Sequence, residues 1–409
     1  MRSKNSAVIN ETNRIGVLTP EGPQTALSWE TVLPPSSGLD LESGKYLKIW
    51  HGPQHPGVTG NMALELTLEG DIIRECKTHV GYLHRAFEKL MERRKYIQCF
   101  PIVCRICVPE PDPNEYLFAA AVEELAHMEI PERAIWLRTL ILEMVRVAFL
   151  TMGLGGQAGS FGLGPIGQWA VTHRDYLLDL FEELTGGRVY HMYILPGGVR
   201  RDLPEGFTDR LESVLKKIEK LISSVEKVMF NNAVFKARAK GLGVIPPEWV
   251  VPYGITGTNA RAAGVPFDVR KNNPYLVYDQ LDFEILTGTA SDVYERTSLR
   301  KEEILQSIRL IRQIIEHMPK NGPVRHKLPN VLNWKVPAGE TYVRAESGRG
   351  ELGYYLVSDG SEYPRRVHVR GPGYTHAMVV LEKLADGQSI ADLAGIMVSL
   401  QTCPPEIER

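Results

Sequence analysis

PIVCRICVPEPDPN, residues 101–114, and QTCPPEIER, residues 401–409, carry Cys104, Cys107 and Cys403, three of the five cysteines of this 409-residue chain. A thiolate pair early in the chain, with thiolate chemistry again at its far end, is the layout of a metal-centred redox subunit, because soft sulfur donors select transition metals. A four-thiolate site needs a second Cys-x-x-Cys, and the sequence offers Cys403-Pro-Pro-Glu406 instead. A carboxylate is a hard donor and cannot replace a soft bridging thiolate between two transition metals. The stretch therefore reads as an altered metal site. Taken alone, the early pair suits metal chelation or redox exchange, and half of a zinc site or chance explains it about equally well.

The remaining composition narrows the class. A chain with 43% hydrophobic residues can bury a large core. Its net charge of −2 provides no basic field, so no nucleic-acid partner is expected. Five unevenly spaced cysteines do not make a disulfide framework, which points to a reducing compartment. No run reaches the roughly 18 apolar residues that cross a bilayer. The first stretch, MRSKNSAVINETNRIGVLTP, lacks the apolar core of a signal peptide. The expected location is the cytoplasm; if the protein works at a membrane, another subunit must hold it there.

Residues 1–44 are polar, end in PPSSG and read as an extended arm. Met62, Leu64, Leu66 and Leu68 then alternate with polar or small residues, Glu69-Gly70-Asp71 turns the chain, and Ile72-Ile73 resumes, which predicts a small antiparallel sheet over 45–80. Helical spacing dominates 81–240, with helices expected over about 82–98, 113–128, 132–152, 167–185 and 205–238. The last has Leu211, Val214, Leu215, Ile218, Leu221, Ile222, Val225, Val228 and Met229 as its apolar stripe. Such a stripe needs a partner, so a helical bundle is implied. Residues 241–409 are mixed: a segment rich in Gly, Pro and Asn, a helix near 296–318, strands at 341–344, 351–358 and 366–369, and a helix over 390–400. The fold class is α+β, with 45–409 as one domain.

Four further motifs carry chemistry. His51-Gly-Pro-Gln-His55 holds two imidazoles on a proline-stiffened loop, able to move protons or bind metal, or simply to cap a rigid turn. Glu88 shares a helical face with His84 and Arg85, an arrangement that a solvated salt-bridged face also produces. Glu346-Ser-Gly-Arg349-Gly350 sets an arginine between glycines, which allow close backbone approach to a ligand and equally suit a plain turn. Gly153-Leu-Gly155-Gly156-Gln-Ala158 has the letters of a dinucleotide fingerprint, but it follows a helical run, not a strand, and nucleotide binding is not expected there.

Together HGPQHPG, HVGYLHRAFEK, the Cys-x-x-Cys turn, GGVRRDLPE, GVIPPE, FDVRK and ESGRGELGYYLVSDG resemble the family that joins nickel-iron hydrogenase large subunits to the 49 kDa (D) subunit of respiratory complex I, over about residues 46 to 409. The resemblance implies the hydrogenase large subunit fold: an N-terminal antiparallel sheet, a central helical bundle and a β-rich C-terminal segment. In hydrogenase members Cys104, Cys107, Cys403 and position 406 would all be cysteine and hold nickel and iron; Glu406 breaks that set. Quinone-reducing members use a histidine shortly after the GPQHP loop and a tyrosine near Tyr96. Here Tyr96 is kept, Thr59 stands at the histidine position, and Ser160 stands where an aspartate is usual.

Three of four cysteines with no quinone histidine is similar to the archaeal membrane-bound sulfane sulfur reductase type. That likeness implies a large subunit of a peripheral arm, lining the place where iron-sulfur clusters reduce sulfane sulfur or polysulfide, coupled to ion translocation. The catalytic groups it implies are Cys104, Cys107, Cys403, Arg349, His55, Glu88 and Tyr96, with Glu406 completing a degenerate, metal-free site. Arg349 and His55 are expected to favour an anionic polysulfide. No cofactor is assigned to the chain itself; a [4Fe-4S] cluster belongs to an adjacent small iron-sulfur subunit. Other hydrophilic-arm subunits, membrane ion-pump subunits and ferredoxin as donor complete the expected partners. The alternatives are a quinone reductase, a nickel-iron hydrogenase variant and a non-catalytic structural subunit.

Overall fold

Two strands, β1 (Arg14–Thr19) and β2 (Gly22–Ser28), pair antiparallel. They are all that the computed structural model describes of residues 1–43; beyond them it describes 44–55, 58, 61–327 and 333–409. The rest of the expected arm lies outside the described residues. A separate unit spans Ile49–Arg409.

The predicted sheet forms from β3 (Leu47–His51), β4 (Ala63–Glu69) and β5 (Ile72–His79) in the order β3-β4-β5. Leu64, Leu66 and Leu68 are buried, as alternation requires. Glu65 points the other way and meets His79 at 2.8 Å.

The single helix expected over 82–98 is instead two short ones, α1 (Phe87–Met91) and α2 (Tyr96–Val103). Tertiary contacts override the local spacing. The Leu83 N–H donates to the Glu408 carboxylate and His84 Nδ1 meets the Glu408 carbonyl, both at 2.5 Å, which commits this backbone to the far end of the chain. Ala86 is left-handed (φ 50°), so the helix begins only after it.

Helix α3 (Pro111–Leu125) starts in the proline-rich stretch, where Pro111 opens the first turn without needing a donor. Helix α4 (Glu132–Ser160) runs on past the expected end at 152, packs against α5 (Gly164–Thr185), and is buried nearly all round between 133 and 151. Its polar residues must therefore be paired inside the protein. Arg138 grips Glu123 through two bonds of 2.9 and 2.5 Å and donates to the Gly198 carbonyl, in the small hairpin of β6 (Ile194–Leu195) and β7 (Gly198–Val199). The glycines of the fingerprint-like motif serve packing: a Cβ on Gly155 would lie 2.5 Å from that of Ala170 on α5.

Helix α6 (Phe207–Val225) buries its predicted stripe. The expected continuation fails at Val228, which is 43% exposed. Residues Glu226–Phe230 widen into a π turn, and the slower rotation keeps Met229 in the core and adds Phe230 in place of Val228. Asn232 then caps α7 (Ala233–Ala239) by accepting from the N–H groups of Val234 and Phe235. After α8 (Thr258–Ala262), helix α9 (Val293–His317) packs on α4. The last third supplies a three-stranded antiparallel sheet, β8 (Gly339–Ser347), β9 (Gly350–Ser358) and β10 (Pro364–Arg370), in the order β10-β9-β8. It closes with α10 (Pro372–Thr375), α11 (Ile390–Leu400) and α12 (Pro404–Ile407). The α+β class with sheet, bundle and β-rich end is the one observed. Among the described residues no helix is long and apolar enough to cross a membrane.

Candidate functional site

Three chain turns converge on one buried spot. The first follows α2, whose end places Cys104 as the C-cap; the chain then turns through Cys107 and reaches Glu110, the residue before α3. The second is the turn between β8 and β9, where Ser347 pairs with Gly350 and leaves Gly348 and Arg349 at the tip. A Cβ on Gly348 would come 2.4 Å from the Phe149 ring on α4, so only glycine lets this tip seat against the helix. The third is the segment after α11: Gln401 turns left-handed (φ 52°), Cys403 precedes α12, and Glu406 lies in its first turn.

Arg349 is the hub. It is 3% exposed, its guanidinium lies over the Phe149 ring at 4.3 Å, and Nη1 donates to the Cys107 sulfur at 2.9 Å and to a Glu110 oxygen at 2.8 Å. The same nitrogen is 3.9 Å from Glu406. The other Glu110 oxygen accepts the Gly348 N–H at 2.8 Å. Glu406 accepts the Gly373 N–H at 2.9 Å, and Gly371 passes so close that a Cβ there would be 2.5 Å from the Glu406 Cγ. The ligand atoms of Cys107, Cys403 and Glu406 all lie within 4.8 Å of one another.

The charge pattern is asymmetric. Burial, and then the neighbouring Cys403 sulfur, push the Cys107 thiol well up. The Cys403 thiol is lowered, first by the hydrogen bond from Cys107 and then, against burial, by Arg349. Burial raises the Glu110 carboxyl despite Arg349 and the Gly348 N–H. Burial opposes the Arg349 charge, but the two sulfurs with Glu110 and Glu406 more than offset it and hold the guanidinium protonated.

Cys104 departs from the expectation. It is buried within the same turn, but it is not part of the close group formed by Cys107, Cys403 and Glu406. Its sulfur lies 3.4 Å from the Pro101 carbonyl and accepts from Arg105 at 3.1 Å, because the end of α2 directs it back along that helix. Burial pushes its thiol up to about 12. A dinuclear nickel-iron centre does not fit here. Two sulfurs and one carboxylate replace four thiolates, and a guanidinium already faces the donors as their counter-charge.

The other expected site residues lie elsewhere. His55 is exposed on the loop after β3, its ring 3.9 Å from that of His51; the cation facing the sulfurs is Arg349. Glu88 does not pair with His84 or Arg85. It accepts from Arg366 at 3.1 Å, the Val369 N–H at 2.9 Å and Arg409 at 3.3 Å, which ties α1 to β10 and the last residue. Tyr96 is buried at the start of α2, 6.3 Å from the Trp334 ring, with burial pushing its phenol up to about 12. Ser160 closes α4 and donates to the Gln157 carbonyl at 2.8 Å. Thr59 lies outside the described residues.

Glu110 escaped the sequence reading, although it stands in VPEPDPN three positions after Cys107. So did a buried ionic network behind the β8–β9 turn. Arg261 bonds Glu346 and Glu303, each at 2.7 Å; Arg146 reaches Glu303 at 3.4 Å; and Arg270 bridges Asp268 at 2.8 Å and Glu143 at 3.1 Å. Charged letters inside apolar helical runs, as in LEMVRVAF, were the available signal.

Comparison with known proteins shows the family. The sequence model of the family described as respiratory-chain NADH dehydrogenase, 49 Kd subunit, matches residues 162–335 and 326–409. The (D) subunit of NADH-quinone oxidoreductase from Thermosipho melanesiensis is 43% identical over 366 residues, 89% of this chain and 99% of that one. The (D) subunit of F(420)H(2) dehydrogenase from Methanosarcina mazei is 39% identical over 375 residues, 90% of this chain and 99% of that one. A chain in the solved structure of the membrane-bound sulfane sulfur reductase, an archaeal respiratory membrane complex, superposes with a TM-score of 0.87 at 39% identity, covering 91% of this chain and all of that one. The chain belongs to the family of the 49 kDa (D) subunit of respiratory-chain NADH dehydrogenase.

Proposed function

We propose that this member of the 49 kDa subunit family is the large peripheral-arm subunit of a membrane-bound, complex I-like oxidoreductase that reduces sulfane sulfur. In that reading electrons reach the buried turn cluster from a [4Fe-4S] cluster held by an adjacent small subunit, ferredoxin is the donor, and other arm and membrane subunits couple the reaction to ion translocation. The observation that carries it is the pair Cys107 and Cys403 against Arg349: two sulfurs and a fixed cation suit an anionic sulfur chain, and no metal is needed. Ser160, locked onto its own helix, gives no acid partner for quinone protonation.

A second reading, quinone reduction, is favoured by the relatives' names, since the Thermosipho chain at 43% identity is called part of a quinone oxidoreductase. One experiment separates the two. The purified complex is supplied with reduced ferredoxin and offered inorganic polysulfide, a short-chain quinone or protons alone. Sulfide release without quinol or hydrogen supports sulfane sulfur reduction, whereas quinol formation without sulfide release replaces it with the second reading.

A further inference from the structure

We propose that the cleft at the C-terminal end of α3 receives an extended basic segment of another subunit, with an apolar side chain entering the cavity and a lysine or arginine meeting Glu124 and Glu129. The proposal rests on the part of the reading above that makes this chain one subunit of a larger complex, and not on the sulfur chemistry.

Helix α3 begins beside Glu110, which is bound to Arg349. Glu123 lies about 20 Å further along at the rise of an α-helix. There it lines a cavity of about 540 Å³ together with Tyr116, Arg138, Ile135 and Leu276. That volume falls within the roughly 300–1,000 Å³ of ligand sites. The Arg349 cluster and the cavity thus occupy opposite ends of one helix. The floor offers no free charge: Arg138 holds Glu123 through bonds of 2.9 and 2.5 Å and turns its remaining N–H groups to the Leu195 and Gly198 carbonyls. Tyr116 is fixed beside them by stacking on Tyr275 at 5.4 Å. The walls are apolar but incompletely covered, since Met128, Ile130, Ile135 and Leu276 are each only half-buried. Taking up an apolar side chain would remove that surface from water.

The rim selects the sign of the charge that enters. Glu124 and Glu129 line the cavity, both are exposed, and neither has an ion-pair partner among the described residues. Glu124 also sits in the last turn of α3, which has no basic residue. A helix C-terminus is the negative end of its dipole and favours cations, so an unpaired carboxylate there is unfavourable until a cation arrives from outside. The nearby cations do not serve: Arg138 is held at the floor, and His326 and Lys327 line an adjoining cavity of about 380 Å³. Because the rim is open to solvent, the occupant enters from the surface. A chain whose family consists of complex subunits has neighbours that can supply such a segment. An apolar anchor with a charge pair at the rim fixes both its depth and its direction.

The test compares the isolated full chain with the assembled complex by hydroxyl-radical footprinting. Met128, in the cavity wall, is the reporter, because its oxidation follows exposure of the sulfur. Met128 is expected to oxidise readily in the isolated chain and at least about tenfold more slowly in the complex, since an occupied interface excludes water. The double charge reversal Glu124→Lys with Glu129→Lys is expected to abolish that protection, and the subunit released with it is the partner. Glu248→Lys, at an exposed carboxylate outside the cavity, should leave the protection unchanged. Equal oxidation of the wild-type chain, isolated and assembled, overturns the docking whether or not the variants assemble. Protection that survives the double reversal overturns the basic segment. Protection already present in the isolated chain, and rising with its concentration, assigns the cavity to a second copy of this chain and overturns the partner. A complex that forms quinol and releases no sulfide, yet protects Met128, removes sulfane sulfur reduction and leaves the docking standing. A complex that releases sulfide with Met128 unprotected does the reverse.

Discussion

The Arg349 guanidinium donates to the Cys107 sulfur at 2.9 Å across 242 positions of sequence. That bond joins the tip of a hairpin to the turn after a helix, and places a fixed cation against the sulfurs. The charge is held in by Glu110 and Glu406, so removing it changes more than one contact.

Arg349→Met should destabilise the chain by about 3–5 kcal/mol, because it leaves the Glu110 carboxylate buried without its partner. Adding Glu110→Gln should restore part of that loss, since the remaining amide carries no charge. Urea titrations of the single and double variants check this. Equal losses in both would show that the ion pair itself carries no coupling.

Metal analysis of the purified complex should find far less than about one nickel per copy of this chain, because soft dinuclear ligation needs the thiolate that Glu406 replaces. The decisive quantity is nickel against iron by elemental spectrometry. Nickel at about one per chain would contradict the geometry described for Arg349.

Gly371→Ala should displace Glu406. The glycine backbone is in an extended conformation that alanine adopts freely, so the effect is steric: the new Cβ would sit 2.5 Å from the Glu406 Cγ. The expected cost is about 1–3 kcal/mol. Combining it with Glu406→Ala, which removes the colliding carbon, should make the two effects less than additive. Thermal unfolding of the three variants measures the coupling, and strict additivity would rule the collision out.

His376 sets an acid limit. It is fully buried, and its imidazole is lowered to about 3, first by burial and then by Arg370, Arg300, Arg296 and Arg349. Asn259 is its hydrogen-bond neighbour at 3.2 Å. The unfolded chain takes up a proton near pH 6.5 that the folded chain refuses. Stability from this group is therefore intact above that value and falls as pH drops toward 3, by at most about 1.4 kcal/mol per pH unit. His376→Gln should flatten the stability profile between these limits without changing it above about pH 7. Parallel profiles for the two proteins would show that another group controls the acid limit.

How legible the site was depends on the kind of signal each residue gives. Cys107, Cys403, Glu406 and Arg349 were readable because sulfur spacing and a glycine-flanked arginine announce chemistry in one dimension. Cys104 carries the same letter and spacing, but a rotation at a helix end took its sulfur to Pro101 and Arg105. Glu110 announces nothing by spacing. It matters only because the Gly348–Arg349 tip folds onto it.

By itself the sequence determined the α+β class, the positions of the longer helices and the antiparallel sheets, because periodicity is a local property of which face must leave water. It also determined that Glu406 stands where a second Cys-x-x-Cys would need a cysteine, since that is a matter of residue identity. Only the tertiary structure decided that the helix expected over 82–98 is interrupted, that the α6 stripe shifts at a π turn, and that Glu88 serves the C-terminal end and not its own helix. It alone chose which two of three cysteines meet. Those outcomes depend on which distant backbone donor or charge arrives at a given point, and contacts across hundreds of residues leave no periodic trace in the chain that makes them.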